Sequence, residues 1–181
     1  MYEAILFLTD GFEEIEAITT LDILRRGGVS AISVSLTGNR EVTGSHEIIV
    51  KADMLFNELN DTKGAMLILP GGPGVSNMHK HELLLELLRI HNAEGGRIAA
   101  ICAAPTVLGK LGVLLDKTAV CYPTLTEKLN SAKVGQVSTI TDGNITTSKG
   151  PASSTDFALE ILRIIKGDTD AAKVAEAMLV T

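Results

Sequence analysis

Two cysteines, one tight group of glutamates and one glycine-rich turn are the parts of this 181-residue chain whose residue types and spacing suit covalent or acid–base chemistry. Cys102 lies directly between an apolar run, 97–101, and a segment whose opening turn holds Pro105, a residue that costs nothing where no intrahelical amide bond is made. A thiol at such an elbow faces the unpaired amides and positive end of a helix. These favour the thiolate and are expected to bring its pKa from about 8.5 toward or below neutrality. Inert packing is the competing account, since free cysteine is among the most buried residue types. Cys121, preceded by Ala119 and Val120, has less in its favour as a reactive group.

The acidic group Glu13, Glu14 and Glu16 fits a solvated helix start, where carboxylates face the macrodipole favourably. Residues three apart also share a face, so Glu13 and Glu16 can both lean toward a site, and spacing does not choose between them. An ionised carboxylate beside Cys102 would oppose the thiolate, whereas a protonated one could donate to it. Gly71, Gly72 and Gly74 look like a phosphate cradle. The Walker pattern needs Lys and then Ser or Thr, however, and the dinucleotide pattern needs a third glycine where Asn77 stands. What remains is a tight turn: either a plain strand-to-helix connection, or one whose Gly71 and Gly72 amides approach the thiol as an oxyanion hole requires. The four histidines form no ligand set: His79 and His81 are two apart, His91 stands alone in a helical pattern, and His46 reads as a surface residue. No metal site is expected.

These groups need a frame, and the hydrophobic pattern supplies one. Residues 4–8 read as a buried strand, followed by a break at 9–11 and a helix over 13–26 with Ile15, Ile18, Leu21 and Leu24 near helical spacing. Alternation predicts a second strand over 32–36. The stretch 38–53 is turn-rich, with 47–50 its best strand, and 55–59 suits a brief helix. Strands are expected at 65–69, 97–101 and 118–121, with a helix at 82–93 and another that 102–105 lead into and that ends near 110–112. Asp142-Gly143-Asn144 between 139–141 and 145–148 is a hairpin signal that puts an antiparallel edge on the sheet, and helices over 154–166 and 170–178 close the chain. Strands alternating with helices argue for a doubly wound α/β fold, a mostly parallel sheet covered on both faces, in one domain over 1–181. Ligands in such folds bind outside the carboxyl ends of the strands, where Asp10, Gly71, Cys102 and Tyr122 fall.

Composition removes other classes. Apolar residues are 45% of the chain, enough for a sizeable core, and a net charge of -6 leaves no basic surface for a phosphate backbone, so nucleic acid is not an expected partner. The run 98–109 is interrupted by Pro105 and falls short of the about 20 apolar residues that cross a bilayer, so no membrane association is expected. Met1-Tyr2-Glu3 runs straight into the first strand without a basic n-region, which with two thiols and no disulfide framework reads as cytoplasmic.

Four blocks then carry a resemblance: Gly11-Phe12-Glu13-Glu14-Ile15-Glu16, Leu69-Pro70-Gly71-Gly72, Ala99-Ala100-Ile101-Cys102-Ala103-Ala104-Pro105, and Thr147-Ser148-Lys149-Gly150-Pro151. In order and spacing, over nearly the whole length, the chain resembles the DJ-one/ThiJ/PfpI superfamily. The resemblance implies a flavodoxin-like fold, a homodimer and an easily oxidised cysteine, here Cys102, on a nucleophile elbow. It implies Glu16 as the carboxyl partner, with Gly71, Gly72 and the Ala103 amide lining the oxyanion site. Members with a Cys-His pair carry a histidine where this chain has Tyr122, and an arginine near the dimer interface corresponds to His46. The activity implied is cofactor-free and acts on small reactive carbonyls such as methylglyoxal. The alternative is a non-catalytic stress protein that senses oxidation at Cys102. Peptidase activity, claimed for more distant relatives, needs a base that Tyr122 does not supply.

Overall fold

A computed structural model describes residues 1–130 and 132–180. Its main sheet has seven strands in the order β10-β11-β7-β6-β1-β2-β5: β10 Thr139–Asp142, β11 Ile145–Ser148, β7 Ile98–Ile101, β6 Met66–Leu69, β1 Ala4–Leu8, β2 Ala31–Ser35 and β5 Met54–Leu55. Every pairing is parallel except β10 with β11, the hairpin that Asp142-Gly143-Asn144 predicts. β1, β6 and β7 are buried along their whole length, as strands covered on both faces must be. α1 Glu14–Arg26, α5 Ser154–Lys166 and α6 Asp168–Ala177 bury Ala17, Leu24, Phe157 and Ile161 in one layer with Leu6 and Ile68 of the sheet. α2 Val75–Met78, α3 Glu82–Ala93 and α4 Pro105–Lys110 bury Leu84, Leu88 and Val107 in the other, with Phe7 and Leu67.

Three expectations are corrected. The strand expected over 47–50 starts later: β4 is Ile49–Lys51, pairs antiparallel with β3 Glu41–Thr43, and Glu47 sits in the turn at φ 65. The segment 118–121 does not join the main sheet. β8 Thr118–Ala119 pairs with β9 Lys133–Val134, because side chains of the edge hairpin take its nearby amides: the Thr118 N–H donates to Asp142 Oδ2 at 2.7 Å and the Val120 N–H to Thr147 Oγ1 at 3.0 Å. The closing helix starts at Asp168, immediately after Gly167 turns the chain at φ 91. The 3-10 turn Pro123–Leu129 and the short α2 are additional elements. No helix among the described residues is long and apolar enough to cross a membrane.

For function, the useful consequence is that β1, β6, β7 and β11 are neighbours and parallel, so their carboxyl ends open on one edge. That edge carries the turns after Leu8, Leu69, Ile101 and Ser148.

Candidate active site

Cys102 follows β7 directly and has φ 63, a left-handed conformation that costs a non-glycine residue about 1–2 kcal/mol. It persists because both backbone groups are tied down: the N–H donates to Ser148 O at 2.9 Å and the carbonyl accepts from Tyr122 N–H at 2.8 Å. The strain turns the side chain back over the sheet edge, at the entry to α4 with Pro105 in its first turn.

Glu16 comes from the first turn of α1, two strands away, and is fully buried. Its Oε2 accepts the Gly71 N–H at 2.6 Å, while Oε1 is buried without a conventional hydrogen-bond partner among the described residues. The Cys102 thiol is the remaining hydrogen-bonding group that bears on this carboxyl. Gly71, after β6, is the residue that lets the two meet. A Cβ there would stand 2.6 Å from Cys102 Cβ and 2.7 Å from Glu16 Oε2. Spacing left Glu13 and Glu16 equivalent; the fold separates them, since Glu13 accepts instead from the Ser45 hydroxyl at 3.1 Å.

Burial drives the electrostatics. It raises the Glu16 carboxyl from 4.5 to about 7, against the opposing bonds from Gly71 and Cys102 and with help from the negative charge of Glu13. The expectation of an acidified thiol is not met. Burial first, then the charge and hydrogen bond of Glu16, push Cys102 up to about 12, and the Gly72 and Ala103 amides offset only part of this. α4 is six residues long, so its terminal dipole is small beside the desolvation. Thiol and carboxyl therefore titrate as one pair that holds a shared proton between these limits. With Glu16 protonated, the repulsion is gone and the two amides favour the thiolate.

The roles expected of the glycine loop divide. The Gly71 N–H is taken by Glu16, so it is not free to hold an oxyanion, whereas the Gly72 and Ala103 amides point their influence at the sulfur. The turn is no phosphate cradle, because its polar groups are spent on the loop after β1: Gly74 N–H donates to Gly11 O at 2.8 Å and Gly71 O accepts from Glu13 N–H at 3.0 Å. Gly72, at φ 94, presses so close that a Cβ would meet Gly11 O at 2.5 Å.

Tyr122 is half-exposed beside the elbow, where its ring and the Cys102 sulfur flank Gly150. A Cβ on Gly150 would lie 3.9 Å from that sulfur, and Gly150 also lines a cleft of about 330 Å3 with Tyr122, Pro123, Pro151 and Ala152. The cleft thus lies next to the thiol and shares Gly150 with its surroundings, although Cys102 does not itself line it. Sequence reasoning gave Gly150 no role of its own, although a glycine before proline at a strand end was the available signal. The buried Ser153 hydroxyl fixes it, accepting the Gly150 N–H at 3.2 Å and bonding Ser148 Oγ at 2.7 Å. A larger hollow of about 620 Å3, lined by His91 and Glu94 among others, opens at the opposite edge of the sheet, remote from these groups.

His46 is exposed, as expected, and is not part of the thiol site. Its Nδ1 lies 2.9 Å from Glu14 Oε2, and the bond to Glu14 followed by the two nearby carboxylate charges raises its pKa. Burial works against ionisation of Glu14, but the His46 ring and amide and the Ser45 hydroxyl outweigh it and hold the carboxyl at about 2. Glu13, Glu14 and His46 thus bring ligand-type atoms within 4.8 Å of one another, a grouping not anticipated from the sequence; both Glu14 oxygens already accept protein donors.

Known proteins share this architecture. Residues 2–164 match the DJ-1/PfpI family model. Protein dj-1beta of Drosophila melanogaster is 38% identical over 180 residues, 98% of this chain and 96% of that protein. The crystal structure of Drosophila melanogaster DJ-1beta superimposes with a TM-score of 0.95 over 100% of both chains at 36% identity. The oxidized Toxoplasma gondii DJ-1 gives 0.90 at 32% identity, over 99% of this chain and 98% of that one. The glutathione-independent glyoxalase DJR-1.2 of Caenorhabditis elegans is 31% identical over 165 residues, 90% of this chain and 88% of that protein. A family match that runs over residues 2–164, with a relative 38% identical in sequence and a solved structure superimposable over the whole chain, places the chain in the DJ-1/PfpI family.

Proposed function

We propose that this protein is a cofactor-independent enzyme that converts small reactive carbonyls, with methylglyoxal the type substrate, into 2-hydroxy acids. The observation that carries the reading is the buried pairing of Cys102 with a Glu16 carboxyl poised at about 7, so that one group can hold and release a proton at neutral pH. The Cys102 thiol passes its proton to the Glu16 carboxylate as the sulfur adds to the aldehyde carbon; the Gly72 and Ala103 amides stabilise the oxygen anion until Glu16 returns that proton to it, which completes a hemithioacetal and leaves Glu16 a carboxylate. Glu16 takes the proton from the former aldehyde carbon and returns it to the neighbouring carbon through an enediol. This leaves a lactate thioester on the cysteine. Water cleaves the thioester, releases lactate and restores the thiol. The sum is methylglyoxal plus water to lactate, with no external oxidant or reductant. The name of the nematode relative, a glutathione-independent glyoxalase, agrees with this chemistry.

Purified protein incubated with methylglyoxal should form lactate above the buffer rate, and Cys102→Ser should reduce formation to that rate. Wild-type turnover no faster than buffer rejects the proposal.

A second reading, oxidation sensing, is favoured by the same neutral carboxyl, which can donate a hydrogen bond to an oxidised cysteine, and by the solved relative described as oxidized. Mild peroxide should then add two oxygens at Cys102 by intact mass; a thiol that stays unmodified excludes it.

The working form is taken to be a cytoplasmic homodimer. Ile15 and Ile18 of α1 are exposed, as are Ile48 and Ile49 of the β3–β4 hairpin, and the hairpin is held against the start of α1 by the Gly11 N–H bond to Thr43 O and by His46 on Glu14. We infer that these four side chains form one apolar face suited to a second copy of the chain. Ile18→Asp combined with Ile49→Asp should convert the dimer to monomer by sedimentation; an unchanged sedimentation coefficient rejects this face.

A further inference from the structure

We propose that the cleft between α4 and the Pro123–Leu129 turn is a binding site for a small oxyanion, clasped by the ammonium groups of Lys110 and Lys128 and the imidazole of His79. The cleft holds about 390 Å3 and is lined by His79, Thr106, Lys110, Glu127, Lys128 and Asn130. Three groups able to carry positive charge meet one acid there, in a chain whose net charge is -6. Neither lysine is in an ion pair among the described residues; Lys110 Nζ donates to the His79 carbonyl at 2.7 Å, a neutral partner.

Hydrogen-bond polarity fixes what His79 can do. The single Thr106 hydroxyl proton goes to the Ala103 carbonyl at 2.7 Å, so Thr106 Oγ1 must accept from His79 Nε2, which lies 2.9 Å away. Nε2 therefore carries hydrogen in either charge state. Nδ1 is the atom that gains a proton, and it has no protein partner among the described residues. Burial, then Lys110, then Lys128 lower the His79 pKa and so disfavour the charged ring. An oxyanion between the two lysines cancels their repulsion and gives the Nδ1 proton an acceptor, so anion binding and protonation of His79 reinforce each other. The charged groups concerned are Lys110 on α4, Lys128 and Glu127 on the turn, and Lys80 and His81 beside it in the chain. His81 is turned to its own helix, with Nδ1 accepting the Leu84 N–H and its ring on Phe56.

Sulfate is the first probe, because it stays dianionic while histidine titrates. Phosphate and acetate are parallel arms that distinguish a tetrahedral from a carboxylate source, and chloride at matched ionic strength reports screening alone. Ring-resolved NMR should show saturable sulfate binding that raises the His79 pKa by about one unit. Affinity should then fall by about tenfold in total as pH rises from the free to the raised value, and level off above it. The exposed pair Lys110→Ala and Lys128→Ala should lose at least about tenfold in affinity at an unchanged melting temperature, and His79→Asn should remove the pH dependence of what binding remains. A His79 response no larger with sulfate than with chloride, or full affinity in the double variant, overturns the proposal.

Discussion

Replacing Glu16 by Gln is expected to give a protein that melts higher than wild type at alkaline pH and has lost its carbonyl turnover. The carboxyl is raised from 4.5 to about 7 in the fold, so the native state binds its proton more tightly than the unfolded chain does. The stability linked to that proton is complete below the unfolded value of 4.5 and is lost as pH rises through about 7. The gap corresponds to about 3 kcal/mol at pH 8 and above. Gln has no charge to bury at any pH and retains an oxygen to accept the Gly71 N–H. The two proteins should therefore melt together near the ordinary carboxyl pKa and separate through neutrality, by about 6–12 °C for a domain of this size. Turnover should fall by about 10²–10⁴-fold, the usual contribution of a positioned acid–base group. Alkylation of Cys102 gives a third readout. In wild type its rate should step up near pH 7 as the pair loses its first proton, and the step should vanish in the variant. Parallel melting curves across the whole pH range would mean that Glu16 does not carry the shared proton.

That coupling marks the boundary of what the sequence could disclose. Residues 82–93 and 154–166 were legible to the residue because helical periodicity met clear stop signals, and 4–8 because a short apolar run beside a turn leaves little else to be. The region 38–53 was not. β3 and β4 are three residues each and are held by pairing with one another and against the Gly11 turn, contacts that no local period encodes. β8 was misplaced for a related reason, since the acceptors for the amides there lie on Asp142 and Thr147, more than twenty residues ahead. At the site, an apolar strand, a cysteine and a proline were enough to locate the elbow. They were not enough to set its electrostatics, because the thiol's pKa depends on burial and on a carboxyl reached across the intervening strand. The Gly71 amide was assigned to an oxyanion for the same reason: its actual acceptor is 55 positions away.

Gly71→Ala tests that geometry with a single methyl group. Gly71 lies outside the left-handed φ region, so alanine meets no left-handed strain there and the steric contacts dominate. Its Cβ would need space now filled by Cys102 Cβ at 2.6 Å, Glu16 Oε2 at 2.7 Å and Ile101 O at 3.0 Å. Two of these neighbours are the reacting pair and the third is backbone of β7, so relief must come from parting thiol and carboxyl. Overpacking of this kind costs about 1–3 kcal/mol, which lowers the melting temperature by about 2–12 °C for a domain of this size and leaves the fold intact. The functional loss should be far larger, because displacing reacting groups by about 1 Å can cost about 10²-fold in rate. Gly72→Ala provides the contrast. At φ 94, with a Cβ only 2.5 Å from Gly11 O, it adds backbone strain to a clash with the loop after β1, so stability should fail before the chemistry does. A Gly71→Ala protein that keeps the wild-type rate and the Cys102 titration would show that thiol and carboxyl do not depend on the close approach this glycine permits.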